Sequence, residues 1–460
     1  MGYGYYLALS VQNPVIAIMS FFLAVLLVIL GTYLLFNAGT TVVLQLLKKK
    51  KNYYYKPNNM ISISNLVFRM KKNAVGLATI AILSSMVLVT LVGAASIYAG
   101  KKDYLASATP HDYSVAGNKV DLTSTKKLMD DFLIKTGEQA NEEVAVSYLL
   151  FGIKNQETNK LTVFTKNERK VVPKSIVLVF SQETFKQLTG KELNLSSNQI
   201  ALYTKNKTLK TQKSLSIDGK NYQIHRQLGE FINKKIPNIY KIIVSDYSYL
   251  VVPDIKIFES SMKGTSITQA TYVGVNVKNP THDAKKNLDL LDQIAGEATK
   301  QLDSQTTGVP VSYFSANSRY DAEGMVNGFV GGTFFIGIFL SIIFMLGTVL
   351  VIYYKQISEG YEDRERFVIL QKIGLDDLQV KQTIRKQVLT VFFLPLIFAF
   401  IHLAFAYHMI SLIVRIIGVL NPDLMLVVTI IVCGVFFLAY IMVFVLTSRS
   451  YRRIVSMWLT

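Results

Sequence analysis

The residues best placed to do work in this chain lie between Lys355 and Gln387, KQISEGYEDRERFVILQKIGLDDLQVKQTIRKQ. Arg364, Arg366, Lys372, Lys381, Arg385 and Lys386 crowd a charged island between two long apolar runs. The chemistry such residues offer is charged contact with a partner rather than bond-making. Phe367 to Leu370 add an apolar strip, and Gly374 followed by Asp376 and Asp377 predicts a helix stop and a restart. A short helical elbow of this kind, held on one side of a membrane, gives a cytosolic partner something to push on.

Bond-making chemistry has little to stand on. There is no GxxxxGK[ST] loop to cradle a nucleoside triphosphate, no GxSxG elbow and no kinase motif set. The one cysteine, Cys433, sits in an apolar run, which excludes a disulfide framework or a cysteine-based metal site within the chain. Histidines 111, 225, 282, 402 and 408 show no HExxH or similar ligand spacing. The reading is therefore no catalytic residue, no metal and no cofactor, and any work against a gradient must be powered by a partner. His402 and His408 fall inside an apolar run, where ionisable groups are functional suspects. No carboxylate lies in an expected span to complete a proton relay.

The elements that must position the elbow follow from composition. Half of the 460 residues are hydrophobic, which points to a membrane class. The net charge of +18 raises nucleic acid as a partner, but its distribution argues against one. The region 99–326 holds 24 of the 31 acids and 30 of the 49 bases, a net of +6, while the remaining bases cluster beside apolar runs. That is positive-inside patterning. Residues 1–47 carry no charged side chain, and VIAIMSFFLAVLLVILGTYLLF within them is long enough to cross about 30 Å of hydrocarbon as a retained anchor. Eight bases and no acid follow between Lys48 and Lys72, which puts that loop in the cytosol and the N-terminus outside. Tyr53, Tyr54 and Tyr55 suit a headgroup-level belt there, and ISISNLVFRMKKN suits an interfacial helix.

Further spans are expected at about 74–98, 328–354, 388–412 and 424–447, with Pro395 a kink in the fourth and three terminal arginines marking a cytosolic C-terminus. Placing any one of these loop bases in the bilayer centre would cost about 2.5–3.5 kcal/mol. Gly328 and Gly332 form a GxxxG at the outer half of the third span, a pattern that favours close helix packing. The insert reads as a mixed domain: helices at Leu122–Thr136, in SQETFKQLTG and at Asp283–Leu302, with strands in VAVSYLLFGI, KLTVFT, SIVLVF, QIALYT, YKIIVS and TYVGVNV. The expected architecture is an α-helical polytopic membrane protein of five transmembrane helices with a large extracellular α+β domain. Its parts are an N-terminal span and basic loop (1–60), an interfacial helix and second span (61–98), the outer domain (99–326) and a three-span core (327–460) carrying the loop 355–387.

One span, a large outer domain and three spans with a charged loop after the first of them resembles the FtsX-like permease module of ABC transporters. RERFVILQKIGLDDLQVKQTIRKQ is similar to that family's loop, and SNLVFRMKKNAVGLATI to its usual start. TYVGVNVKN and YYKQISEGYEDRERFVILQKIGL resemble the bacitracin-resistance type of permease in Gram-positive bacteria. Such permeases carry ten spans, so the chain is expected to be a C-terminal portion. The resemblance implies a separate cytosolic ABC ATPase as partner and resistance to peptide antibiotics that attack lipid-linked cell-wall precursors. ATP-driven closure of the ATPase would then move the elbow from Glu359 to Leu375, with Arg364, Glu365 and Arg366 making charged contacts, Phe367, Val368 and Leu370 filling a groove on the ATPase, and Gly374 at the turn. An interfacial helix lying against lipid headgroups is the alternative for these residues. The outer domain's net +6 would repel a cationic peptide and attract a lipid pyrophosphate, which favours freeing of the lipid target. Two other roles stay open: a sensor that signals to a histidine kinase, and a membrane regulator of cell-wall hydrolases.

Overall fold

A run of twenty or more apolar residues folds as a helix because a helix satisfies its backbone N–H and C=O groups within the segment. The computed structural model describes residues 1–39, 42, 49, 57–168, 173, 175–238, 240, 244, 246–278, 284–302, 312–372, 377–419 and 421–456. For 57–72, 167, 284, 359, 363–372, 377–388, 390–391 and 450–456 it describes the backbone alone. The chain divides into two units, Met1–Gly100 with Val330–Thr460, and Lys101–Phe329.

The first unit is helical. It contains α1 (Gly2–Ser10) and α2 (Pro14–Leu34), which continues as a π-helical turn at Leu35–Gly39. Pro14 stands in the first turn of α2, where its missing N–H costs nothing, and the Asn13 side chain accepts from the N–H groups of Val15 and Ile16. Helix α3 (Pro57–Ala108) runs into the second unit, and α9 (Arg319–Lys372) runs back from it. Helices α10 (Asp377–Ile416, containing Pro395) and α11 (Pro422–Ser456) complete the unit. Five stretches among the described residues are long and apolar enough to cross a membrane: Pro14–Gly39, Asn73–Ala108, Arg319–Glu362, Phe392–Ile416 and Pro422–Arg449.

Hydroxyl groups in these helices bond back to the carbonyl four residues earlier, as Thr79 does to Val75, Ser85 to Ala81, Thr90 to Met86 and Thr348 to Phe344. Helices α3 and α9 meet along a seam. Thr90 and Ser341 hydroxyls lie 2.9 Å apart, Tyr98 and Phe334 stack at 4.6 Å, and Gly337 leaves room for the Ala94 side chain. A Cβ at Gly328 or Gly332 would meet nothing within 4 Å, so the glycine at the seam is Gly337. On the other side of the unit, the Tyr440 hydroxyl donates to the Phe392 carbonyl at 2.9 Å, joining α11 to α10.

The second unit is built on ten strands: β1 (Tyr113–Asn118), β2 (Ala140–Glu157), β3 (Lys160–Val163), β4 (Ser175–Ser181), β5 (Gln199–Thr204), β6 (Ser214–Ile217), β7 (Lys220–Gln227), β8 (Asp246–Val252), β9 (Ile267–Val277) and β10 (Tyr313–Ser318). Their order is β10-β1-β9-β2-β3-β6-β7-β5-β8-β4, and β4 pairs again with β2, Leu149–Ile153 facing Val179–Ser175. That pairing closes seven strands into a ring and leaves β9, β1 and β10 as a wing. The period-2 alternation of strands assigns the side chains. Leu149, Phe151, Val177, Val179, Leu250 and Val252 join one core, while Tyr148, Ile176, Leu178, Phe180, Tyr247 and Tyr249 join another on the opposite face. Both faces of β4 are therefore buried, which is why SIVLVF is apolar throughout.

Helix α4 (Leu122–Thr136) and helix α8 (Ala284–Leu302) pack on the wing, where Phe132, Leu291, Tyr113, Val273 and Val275 form a third core. Asp121 caps α4 by accepting from the Ser124 N–H, and Gly137 ends it at φ +71°. Helix α5 (Gln182–Thr189) is capped by Ser181 and ended by Gly190; α6 (Lys207–Lys210) and α7 (Ile255–Ser261) are single turns beside the ring. The expected helices at 122–136 and after Ser181 are present, as is the one ending at Leu302. Five of the six expected strand segments coincide with β2, β3, β4, β5 and β9. YKIIVS falls mostly outside the described residues, and the strand in that region starts at Asp246.

His111 is buried on the wing, its Nδ1 2.9 Å from the Tyr272 hydroxyl. Burial pushes its pKa below the usual histidine value, against opposing pulls from Glu142 and Asp112, while Arg319 adds to the lowering. A histidine held neutral contributes stability above its unfolded pKa of about 6.5 and loses it as pH falls from there. Thermal unfolding of the chain should therefore shift to lower temperature between pH 7 and pH 5, and His111→Gln should flatten that slope. For the helical seam, Thr90→Cys with Ser341→Cys in a Cys433→Ser background should oxidise to an intrachain disulfide detectable by mass spectrometry. Free thiols under the same oxidation would show that α3 and α9 do not meet there.

Candidate functional site

The elbow singled out in the sequence begins inside a helix. Helix α9 is unbroken to Lys372, so Glu359, Arg364, Glu365, Arg366, Phe367, Val368 and Leu370 all lie on it. Their side chains are outside the described residues, as are Gly374 and Leu375 altogether. Helix α10 resumes at Asp377. On a helix, Arg366 and Leu370 are one turn apart on the same face, as are Arg364 and Val368, so charge and apolar surface alternate along the stretch. The nearest described anchorage is Lys355, whose ammonium donates to the Asn73 carbonyl at 3.3 Å. Its stem crosses α3 at Gly76, where a Cβ would come 2.7 Å from Nζ. The glycine lets the lysine lie close against α3, and the contact ties α9 to α3 just before the elbow.

A second arrangement involves a residue flagged by sequence alone as an ionisable group in an apolar run. His402 on α10 is buried; its Nδ1 lies 2.6 Å from the Tyr5 hydroxyl on α1, and its Nε2 lies 3.2 Å from Thr32 Oγ1 on α2. The Thr32 hydroxyl already donates to the Val28 carbonyl at 2.6 Å, so toward His402 it can only accept. A neutral ring in this setting carries its proton on Nε2 and accepts from Tyr5 through Nδ1. The chain of bonds runs one way, Tyr5 to His402 to Thr32 to Val28, and satisfies every member. Tyr5 also stacks on Phe405 with ring centres 4.0 Å apart. His408 donates through Nε2 to the Val11 carbonyl at 2.9 Å.

This network borders a partly open cavity of about 260 Å³ among α1, α2, α3, α9 and α10. Gly4, Ala8, Ala24 and Ala406 make the room, and Val28, Ile82, Met86 and Phe344 supply apolar walls. In the second unit, a cleft of about 510 Å³ opens beside the strand ring between Ile200, Lys220, Tyr222, Asp254 and Phe258. Among the described residues, no group of three or more His, Cys, Asp or Glu side chains is placed to hold a metal ion. Sequence reasoning reached His402 but missed Tyr5 and Thr32, because their contact with it spans 397 and 370 positions. The tyrosines of MGYGYYLAL were the only local signal.

No family model matches the chain. Among curated proteins it is 24% identical over 393 residues to the ABC transporter permease protein YxdM of Bacillus subtilis, covering 84% of this chain and 57% of that protein. It is 22% identical to the ABC transporter permease YvcS of the same organism, over 99% of this chain and 67% of the relative. It is also 22% identical to the bacitracin export permease protein BceB of B. subtilis, over 86% of this chain and 57% of the relative. The chain thus spans little more than half the length of two of these proteins and two thirds of the other. A solved lipoprotein structure from Bacillus anthracis aligns over 39% of this chain at 11% identity, with a TM-score of 0.22 that carries no argument about fold. Along most of its length the chain is thus similar to three Bacillus subtilis proteins described as ABC transporter permeases.

Proposed function

We propose that the chain is an FtsX-like permease portion that couples ATP hydrolysis in a separate cytosolic ABC ATPase to an extracellular domain. In this reading the five apolar helices cross the cell membrane, with the N-terminus and the unit Lys101–Phe329 outside and the elbow and C-terminus in the cytosol. The observation that carries it is the continuity of α9. Its 54 residues, at 1.5 Å each, extend about 80 Å, more than twice a hydrocarbon core of about 30 Å. Its two polar ends therefore belong on opposite sides of the bilayer, one at the outer unit and the other at the elbow. Helix α3, with 52 residues, makes the return crossing. Closure of an ATPase dimer would push on Glu359–Leu375, and α9 and α3, joined by the Lys355–Asn73 contact, would carry the displacement outward.

The name of BceB supports bacitracin-type peptide antibiotics, which act on lipid-linked cell-wall precursors, as the substrate class. The net +6 of region 99–326 favours attraction of the precursor's pyrophosphate over capture of a bare cationic peptide. The ATPase contact is the step most open to test. Arg366→Glu with Leu370→Asp reverses one charge and places another at an apolar contact, changes that cost about 2–5 kcal/mol at a buried interface. Co-purification with the ATPase subunit should fall to background in the double variant while membrane insertion is retained. Undiminished co-purification would remove the elbow from the interface.

A further inference from the structure

We propose that the cavity beside His402 holds one acyl chain of a bilayer phospholipid. The proposal rests on the reading that the five apolar helices cross a membrane. The polar side chains bordering the cavity are already engaged: Tyr5, His402, Thr32 and the Val28 carbonyl bond to one another in a single direction, and the Ser85 and Thr90 hydroxyls donate to the Ala81 and Met86 carbonyls. A guest therefore needs no polar group of its own. Water is a poor occupant, because a buried water needs two to four polar partners and apolar cavities of about 150 Å³ stay dry yet accept benzene. This cavity, at about 260 Å³, is larger, and its walls are mostly apolar, with Gly4, Ala24, Val25, Met86 and Ala406 among them. Its polar side chains, Tyr5, His402, Ser85 and Thr90, are already engaged in hydrogen bonds. It is partly open, so a chain can enter without a gate. In a bilayer the abundant apolar component is the phospholipid tail. Seated there, the tail would fill the gap between α1, α2 and α10 and make the lipid a structural part of the helical unit.

The test reconstitutes the full chain into vesicles containing a phospholipid with a diazirine near the end of its acyl chain. After illumination, labelled positions are mapped by mass spectrometry. Val25, Met86 and Ala406 should label, and Val25→Phe with Ala406→Phe should lower labelling at Met86 by roughly tenfold. Phe22 and Leu438, exposed by 69% and 68%, should label equally in both chains. Labelling at Phe22 and Leu438 without labelling of the cavity in the unaltered chain would overturn the proposal alone. Absence of label from all of these positions would remove the membrane reading beneath it. A diazirine isoprenoid that labels the cavity where the phospholipid does not would overturn the assignment to acyl chains.

Discussion

The interior of a bilayer offers a backbone amide no water to bond with, and the rest of this molecule follows from that constraint. A chain crossing it must close its hydrogen bonds internally, so its apolar runs become helices and its charges collect at the ends. Many side chains of the helical unit meet the same condition. Thr79, Ser85, Thr90, Ser341 and Thr348 each return their hydroxyl to a carbonyl of their own helix, and His402 is enclosed between two hydroxyl partners. Ser84, Ser96 and Gln356 are buried exceptions, each with a side-chain oxygen that has no hydrogen-bond partner among the described residues.

The same constraint shapes what can move. A helix in hydrocarbon resists bending because bending would expose backbone groups, so in the proposed arrangement two long helices running on past the membrane would act as stiff rods. The contacts between α3 and α9 suit that role. Lys355 against Asn73 at Gly76, Thr90 against Ser341 and Tyr98 against Phe334 are spread along the pair, which couples the helices over several turns. In the other unit, the ring of seven strands leaves few free edges, and four core clusters among the described residues stiffen it.

How much of this the sequence disclosed depended on the range of the signal. The five apolar runs, the amphipathic pattern of 122–136, the start of a helix at Ser181 and the strand SIVLVF are local signals, and each predicted its element closely. Five strands were missed: β8 (DYSYLVV) begins only after the expected YKIIVS segment, and four more were not legible. β6 is four residues long, β7 (KNYQIHRQ) is largely exposed and lacks apolar alternation, and β1 and β10 are interrupted by Gly, Asn, Ser or Ala, whose β propensity is weak. They are held by pairing with distant partners, as Tyr113 is with Ser318 and Val275. Range also decided which candidate residues stood out. The stretch 355–387 did because its charges are contiguous, although its turn lies outside the described residues. The Tyr5–His402–Thr32 network did not, because His402 lies hundreds of residues from the other two, and the glycine at the α3–α9 seam is Gly337.

The central claim is that the elbow and the strand-rich unit lie on opposite faces of one membrane. It is tested most directly with single cysteines at Lys191 and at Arg364, in a Cys433→Ser background, exposed to a membrane-impermeant maleimide on intact cells. The account predicts that the cysteine at 191 reacts at once and the one at 364 only after permeabilisation. Equal reaction of both in intact cells, or protection of both, would contradict it.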